Sequence, residues 1–579
     1  MNAFLQYYET ELDYMRRSFE AFEKANPQQA RALGISAGRS RDPDLQRIAD
    51  SCALIAARLH QRLDNTRADI SLDLLRLACP GFLFGAPSYA TVAVDAGALE
   101  GTVTVPRGTA VYHDEDGKPQ SRFAVARDVS VAPVRITGVR LESAPFSFAL
   151  PEGTRRSDAA LCLTVETVDG ETPLAEVLGS SLEICVTADG RRNARLCNAL
   201  AGGCVAAHVA SGPSLQALEK VSLRPVIDVA DTAHLPVFYT QSEGLEGLRD
   251  YLCYPDKGKF FALQALFPQT PSAEIRIFLT AQSAASLSTL RDDDLALNII
   301  PCLNLFETTS EPLRYDYARD RIPVSALKET SAPATILRVD AVYELRADGE
   351  RRLPEIFDAP HMAGTSSVRW QERHVVGELE PNRRELSFSV GADGARDLDF
   401  VAALYCSNGI HAERPRPGAP ARIDLAGIAD ATFVSEPTVA IPPRLDASWQ
   451  WDILSLVNGN FGAILEEHDA AASLRRVLHL CAPGGYTPCA EAIVDVTRTL
   501  GTAPVQIGRN VILAAGSLVE IVLDLDVLPV PEQIFARVLD RFLGSFVSYD
   551  RFIEVSIRSR GDSAPLIRFP RRHGSQEAA

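Results

Sequence analysis

Three short stretches carry residue types whose spacing suits chemistry. Gly34-Ile35-Ser36-Ala37-Gly38 matches the Gly-x-Ser-x-Gly nucleophile elbow, in which a strained turn from strand to helix exposes a serine hydroxyl. Asp292-Asp293-Asp294 offers oxygen ligands to a divalent cation. Asp524 and Asp526 have the two-residue spacing that puts both carboxylates on one face of a strand. Each also has a plainer reading. The pentapeptide falls between two helical patterns with no strand ahead of it, so its glycines punctuate a loop. The three acids suit a solvated turn before Leu295-Ala296-Leu297. Asp524 and Asp526 alternate with Leu523, Leu525 and Val527, which describes a half-buried strand with a wet face.

Other chemical signatures are lacking. The ten histidines are scattered, without His-Glu-x-x-His or a pair of His ligands four apart, and no Gly-x-x-x-x-Gly-Lys-Ser/Thr phosphate loop occurs. His60 lies beside Arg58 and Arg62 on a solvated helix face. The 11 cysteines include no Cys-x-x-Cys, and the closest spacings, Cys197 to Cys204 and Cys481 to Cys489, are not common zinc spacings. Most sit in apolar runs and read as small buried hydrophobes in a reducing compartment. No catalytic, cofactor or metal residue is assigned, and the chain reads as something other than an enzyme.

Which elements would position these residues follows from periodicity. Leu5, Tyr8, Leu12, Met15, Phe19 and Phe22 are spaced 3, 4, 3, 4 and 3 apart, a helical seam suited to helix packing. Pro27, Gly34 and Gly38 break the chain. Asp42-Pro43 then starts a second helix with Leu45, Ile48, Cys52, Ile55, Leu59 and Leu63 in register, and a shorter helix runs from about Ser71 to Pro80-Gly81. These helices either pair within the monomer or share the seam with another chain.

After Pro87 the period becomes two. Thr91–Asp95, Thr102–Val105 and Ala110–Tyr112 are strands, with turns at Gly108 and Asp116-Gly117. Val131–Ile136, Ala160–Val165, Leu182–Val186 and Glu274–Leu279 continue the pattern, interrupted by a helix over Leu245–Tyr251. Ala412–Pro420 holds three prolines and reads as an extended connector. Helical spacing returns beyond Pro443, followed by strands at Val511–Leu525 and Phe552–Ile557 around a helix from Glu532 to Phe546. The tail after Phe569 is polar and reads as frayed. The expected fold class is α+β multidomain: an N-terminal helical segment (1–85), two β-rich domains (86–235 and 236–435, the second with short helices) and a C-terminal mixed α/β domain (436–579).

Composition agrees with a folded protein. At 579 residues, a prior of roughly 150 per domain gives three or four domains. Hydrophobic residues at 46% and charged residues at 23% provide enough apolar surface to offset chain entropy. Lys plus Arg number 58 against 75 Asp plus Glu, so 58 − 75 gives a net charge of −17. That balance argues against nucleic acid and against an anionic membrane surface, both of which need a basic face. No signal peptide opens the chain, and acids interrupt the apolar run Val511–Leu528, so it reads as soluble and cytoplasmic.

Several blocks together resemble one family. Tyr7-Tyr8-Glu9-x-Glu11-Leu12-x-Tyr14-Met15-Arg16 looks like the opening of the TssF (ImpG/VasA-type) baseplate subunits of bacterial type VI secretion systems. Asp42-Pro43-Asp44-Leu45 comes next. Ala56-Ala57-Arg58-Leu59-His60-x-Arg62-Leu63-Asp64 is similar to the family's second-helix signature, and Leu74-Leu75 through Cys79-Pro80 to Pro87-Ser88 matches its helix ending in proline. Later matches are Gly247–Pro255 leading to Lys259–Leu263, and Asn298–Phe306 followed by Glu311-Pro312-Leu313, the most specific block. Phe535–Phe542 and Phe546–Phe552 fit its C-terminal pattern. Asp250 stands where the family has Glu, Leu252 where it has Phe, Tyr549–Phe552 replaces an Asn-Ser-Phe ending, and residues 362–400 match weakly. Thr104–Thr109, with Phe123-Ala124-Val125 and Asp128-Val129, also resembles phage baseplate wedge proteins of the J type.

The resemblance implies a wedge in which two TssF copies join one TssG, bind TssK and TssE, and surround the VgrG hub as a platform for sheath and tube. Such a baseplate sits at the cytoplasmic face of the inner membrane and meets the membrane only through the membrane complex. In that reading Leu5, Tyr8, Leu12, Met15, Phe19 and Phe22 form the partner interface. Two alternatives stay open: a wedge subunit of a phage tail or other contractile injection machine, and a β-rich cytoplasmic hydrolase.

Overall fold

The computed structural model describes residues 3–573 except 41, 116, 149, 152–153, 155–156, 212–216, 229–232, 237–242, 288–289, 317–320, 359–367, 376–382, 391–396, 445, 458–464, 466–468, 508–509 and 549–550. The N-terminal seam folds as α1 (Ala3–Ala25), which ends where Asn26 precedes Pro27, the first residue of α2 (Pro27–Ala32). Gly34-Ile35-Ser36-Ala37-Gly38 becomes a two-residue hairpin, with Ile35 paired to Ser40 and a left-handed turn at Ala37 and Gly38. Asp42 then caps α3 (Pro43–Ala78), its Oδ1 accepting from Asp44 N at 2.9 Å. One uninterrupted helix of 36 residues replaces the two expected between Asp42 and Pro80. Nothing between Leu63 and Ser71 is a helix breaker, so the lapse in apolar spacing there marks no break. Cys79-Pro80 ends it. Residues Met1–Leu77 with Leu445–Trp451 form one compact unit, and Ala78–Arg444 with Asp452–Ala579 form another.

In the second unit, the strands read at Thr91–Asp95 and Ala110–Tyr112 enter a closed six-stranded antiparallel barrel, whereas Val103–Val105 pairs outside it with Val129–Val131. Around it run Ile299–Leu303, Tyr89–Val94, Ala431–Phe433, Pro420–Ile423, Ala110–Glu115 and Lys118–Val125, the last pairing back to the first. Strands from residues 86–235 and 236–435 therefore share one sheet, because ladder pairing is blind to sequence distance. Val92, Val111, Phe123, Ile300 and Phe433 fill its interior. The connector Ala412–Pro420 leads into it, and Ala412 is itself buried.

An eight-stranded sheet extends from the edge strand Leu295–Ala296 to Val134–Ser143, with Ser181–Val186, Ala159–Thr167 and Ser272–Leu279 among its members. A five-stranded sheet centred on Leu398–Ser407 and a three-stranded one around Arg383–Val390 bury Phe400, Trp370 and Leu386. At the C-terminus, Ile493–Ile507 and Asn510–Leu523 form a long hairpin whose first arm the sequence reading did not anticipate. Helix Glu532–Ser545 then carries the chain to Phe552–Ser559, which pairs in parallel with the hairpin. The helical N-terminus precedes a region in which several sheets are interspersed with helices, an α+β multidomain architecture.

Two asparagines hold the strand Ile299–Leu303 at its ends. Asn298, at φ 57°, donates through Nδ2 to Ala132 O at 2.8 Å and accepts from Ala132 N at 2.9 Å. Asn304 is fully buried; its Oδ1 accepts from Ser407 Oγ and Asn408 N, each at 2.7 Å, while its Nδ2 donates to Arg122 O at 2.7 Å.

Three local readings change. Asp524 and Asp526 lie in a turn beyond the strand that ends at Leu523. There Asp524 pairs with Arg560 at 2.9 Å, so they do not share a strand face. Asp294 is buried and bonded to Arg192 at 2.8 Å, leaving only Asp292 and Asp293 solvated. The tail is held as far as His573: Arg571 pairs with Glu554 at 2.6 Å and Arg572 with Asp540 at 2.7 Å. Residues 574–579 lie outside the described residues.

Helix Glu243–Cys253 carries two buried charges, Arg249 and Asp250. Asp250 accepts from His234 N at 3.0 Å, Leu235 N at 2.9 Å and Lys257 Nζ, and all these groups are buried. Burial alone pushes the Asp250 carboxyl up, but the Lys257 ammonium and the amide donors outweigh it and hold it below the usual range. Asp250→Ala therefore leaves Lys257 buried and unpaired, at a cost of about 3–5 kcal/mol. A lowered Tm is expected, and adding Lys257→Met should recover most of it.

Asp540 behaves oppositely. Burial pushes its carboxyl up to about 6 despite the Arg572 guanidinium. The folded state thus prefers the proton relative to an unfolded carboxyl near ~3.9. The associated stability is present below that value and lost as pH rises through about 6. Across a pH series, the Tm of Asp540→Asn relative to the natural chain should rise between about pH 4 and about pH 6.5.

Candidate assembly surface

The six seam residues all lie on α1, whose helical period gathers them into one stripe. The first unit covers that stripe only in part. Leu5 is exposed, and Tyr8, Leu12, Met15, Phe19 and Phe22 are half-buried. Among the described side chains of α1 the buried one is an acid: Glu11, whose Oε1 lies 2.7 Å from His60 Nδ1 on α3. His60 is thus a bonding partner, and not simply part of a wet face. Across the helix, the hairpin of residues 35–40 docks through Ala37 N, which donates to Glu23 Oε2 at 3.1 Å. A Cβ on Gly38 would lie 3.0 Å from Arg16 O, and φ there is +74°, so glycine is required for this approach.

Along the first half of α3 the packing face is made of small residues that hydrophobic spacing did not single out, and Leu72 and Leu75 are buried farther along. Ala49, Ala53 and Ala57, four apart, are buried. Ile48, Ile55 and Leu59 are 60%, 67% and 59% exposed, and Cys52 between them is exposed as well. Ile70, Leu74 and Leu77 extend the apolar exposure toward the C-terminus of the helix. Such a concentration of large apolar side chains in water is unusual for a surface that stays free. The signal for it was present, because alanine at i, i+4 and i+8 beside a larger apolar stripe marks a helix with two packing faces.

Ser36 sits in the exposed hairpin, remote in sequence and sheet from the turn at Asp292–Asp294 and the turn at Asp524. Burial pushes the thiols of Cys204 and Cys253 up to about 11, and those of Cys162, Cys197 and Cys406 up to about 12. These are the protonated thiols of packing residues and poor nucleophiles. Among the described residues, no group of three or more His, Cys, Asp or Glu is placed to hold a metal ion, and no helix is long and apolar enough to cross a membrane.

The two faces of α3 predict opposite mutational responses in the isolated chain. Ala53→Leu should overpack the inner face and cost about 1–3 kcal/mol. Ile55→Ser should change stability by no more than about 0.5 kcal/mol, because its side chain already contacts water. Urea titration followed by circular dichroism separates the two.

Comparison with known proteins gives this surface a context. The sequence profile described as type VI secretion system, TssF, matches residues 1–576. The type VI secretion system component TssF1 of Pseudomonas aeruginosa PAO1 is 21% identical over 626 aligned positions, covering 99% of each chain. Among solved structures, the cryo-electron microscopy structure of the type VI secretion system TssK-TssF-TssG baseplate subcomplex has a similar chain. It matches with TM-score 0.70 and 17% identity, over 92% of this chain and 99% of that one. The baseplate complex from the type VI secretion system matches with TM-score 0.57 and 16% identity, over 99% and 100%. At these identities the structural likeness shows a shared fold. The profile match extends over residues 1–576 of 579, and the chain therefore belongs to the TssF family of the type VI secretion system.

Proposed function

We propose that this chain is a structural baseplate subunit whose N-terminal helices are its principal assembly element. The carrying observation is the row of half-covered and exposed apolar residues on α1 and α3, which the first unit leaves in contact with water. TssK and TssG are named together with TssF in the similar subcomplex, and they are the partners this reading assigns. The family resemblance extends it to a wedge of two copies of this chain with one TssG, to TssE, and to an arrangement around a VgrG hub. In this reading the baseplate is cytoplasmic and docks at the inner membrane through other proteins. The role is scaffolding, without catalysis. The sequence division into 1–85, 86–235, 236–435 and 436–579 serves here as a guide to which part meets which partner, with the first assigned to the wedge bundle.

Leu5, Tyr8, Leu12, Met15, Phe19 and Phe22 supply the α1 face of that bundle. Interfaces of this kind resemble a domain core cut in half, and a carboxylate buried in one without a partner costs several kcal/mol. Co-expression with the TssG-like product of the neighbouring gene, followed by size-exclusion chromatography with light scattering, should give a complex whose mass fits two copies per partner. Leu12→Asp with Met15→Asp should abolish that complex while the isolated chain keeps its circular dichroism spectrum. A partner-indifferent monomer, or undiminished assembly by the double variant, refutes the proposal.

A further inference from the structure

The C-terminal part of the second unit contains an open cleft of about 350 Å³ lined by Arg444, Arg475, Arg476, His479 and Glu491, with Gly485 at its wall. Its construction follows from helix Ala470–Cys481, where Arg475, Arg476 and His479 occupy i, i+1 and i+4 on the side facing the cleft. Gly485, in the Pro-Gly-Gly turn after the helix, also lines the cleft. Gly485 has φ +81°, and a Cβ there would lie 2.3 Å from Arg444 Nη1, so the bare glycine makes room for the guanidinium. His479 is fixed by its neighbours. Its Nδ1 accepts from Thr487 N at 3.2 Å, which leaves the hydrogen on Nε2, 3.3 Å from Glu491 Oε1. The Tyr486 ring, 60% exposed, stacks on His479 with centroids 5.2 Å apart.

Three guanidiniums and one carboxylate line the cleft, in a chain whose net charge is −17. Arg475 and Arg476 are incompletely neutralised. Arg476 reaches Asp452 only at 3.4 Å in an exposed pair, which binds weakly. Arg475 Nε is shielded from water and has no hydrogen-bond partner among the described residues. Guanidinium forks match carboxylates bidentately, and the exposed Tyr486 ring stacked on the cleft-lining His479 offers apolar contact that a small inorganic anion does not use. We infer that this cleft docks an acidic peptide segment of a neighbouring protein, with Arg475 and Arg476 binding its carboxylates and Tyr486 packing against it. The inference rests on the scaffold reading above for the identity of its occupant as part of an adjoining subunit.

Fluorescence anisotropy of a labelled hexaglutamate peptide against the full chain tests it. The natural chain should bind, and Arg475→Ala with Arg476→Ala should bind roughly tenfold or more weakly, the scale expected for losing charge-assisted hydrogen bonds. Arg314→Ala with Arg416→Ala removes equal charge from exposed pairs elsewhere and should leave binding unchanged. If the Arg475 substitution disturbs folding, Arg476→Glu, on a side chain 71% exposed, should give the same loss without that cost. Absence of binding by the natural chain, or equal loss in the control pair, overturns the inference. So does displacement of the peptide by inorganic phosphate at equal concentration, since the cleft would then serve a free anion. Peptide binding by a chain that nevertheless forms no complex with the TssG-like partner would support the cleft and refute the scaffold reading, so the two fail separately.

Discussion

Backbone amides cannot be buried unpaired without a large penalty, and residues 295–309 meet that constraint in its most demanding form. Within this stretch the chain enters three different sheets. Leu295–Ala296 is the edge of the eight-stranded sheet, Ile299–Leu303 closes the barrel, and Phe306–Thr309 joins the five-stranded sheet. Each transfer leaves peptide groups that neither sheet can satisfy, and the two asparagines supply what is missing. Asn298 tolerates the left-handed conformation that turns the chain while its amide mimics a strand partner for Ala132. Asn304 bridges the barrel strand at Arg122 to the Ser407-Asn408 end of the neighbouring sheet. The mutual placement of the three sheets depends on these few side-chain amides.

Much of this was legible as pattern and little of it as partnership. The stripe Leu5 to Phe22, the cap at Asp42 and the alternating strands at Tyr89–Val94 and Ala110–Glu115 follow from short-range periodicity, and folding preserves them. Pairing does not leave such a trace. Nothing local in Ala431–Phe433 says that it lies beside Tyr89–Val94. The block Asn298–Phe306 stood out by resemblance, yet the work of its asparagines emerges only with the sheets around them. Asp294 and Asp524 illustrate the same limit: an acid next to other acids reads as solvated until Arg192 or Arg560 arrives from far along the chain.

The candidate surface shows the reverse bias. Sequence reading favours large apolar residues as the packing face of a helix, yet over Ala49–Ala57 of α3 the chain buries its alanines and leaves Ile48, Ile55 and Leu59 exposed. Small side chains let helix backbones approach closely, which leaves the longer apolar ones directed outward. The result is a unit with modest burial of its own and much apolar surface left to cover. This fits a protein whose final stability includes its partners, since binding to the folded form adds directly to folding free energy.

The barrel also bears on how the chain is made. Val92 pairs with Phe433 and Leu303 with Ala124, so the cylinder cannot close on a ribosome-bound fragment that ends before Phe433. Until then, strands already synthesised from Tyr89 onward wait with open edges, the state in which intermolecular pairing competes with folding. Non-local closure of this sort is intrinsically slow. The order of translation therefore presents α1 and α3 to the cytosol long before the barrel can form. For a chain built this way, the timing of synthesis relative to the supply of its partners becomes part of what decides whether it folds or aggregates.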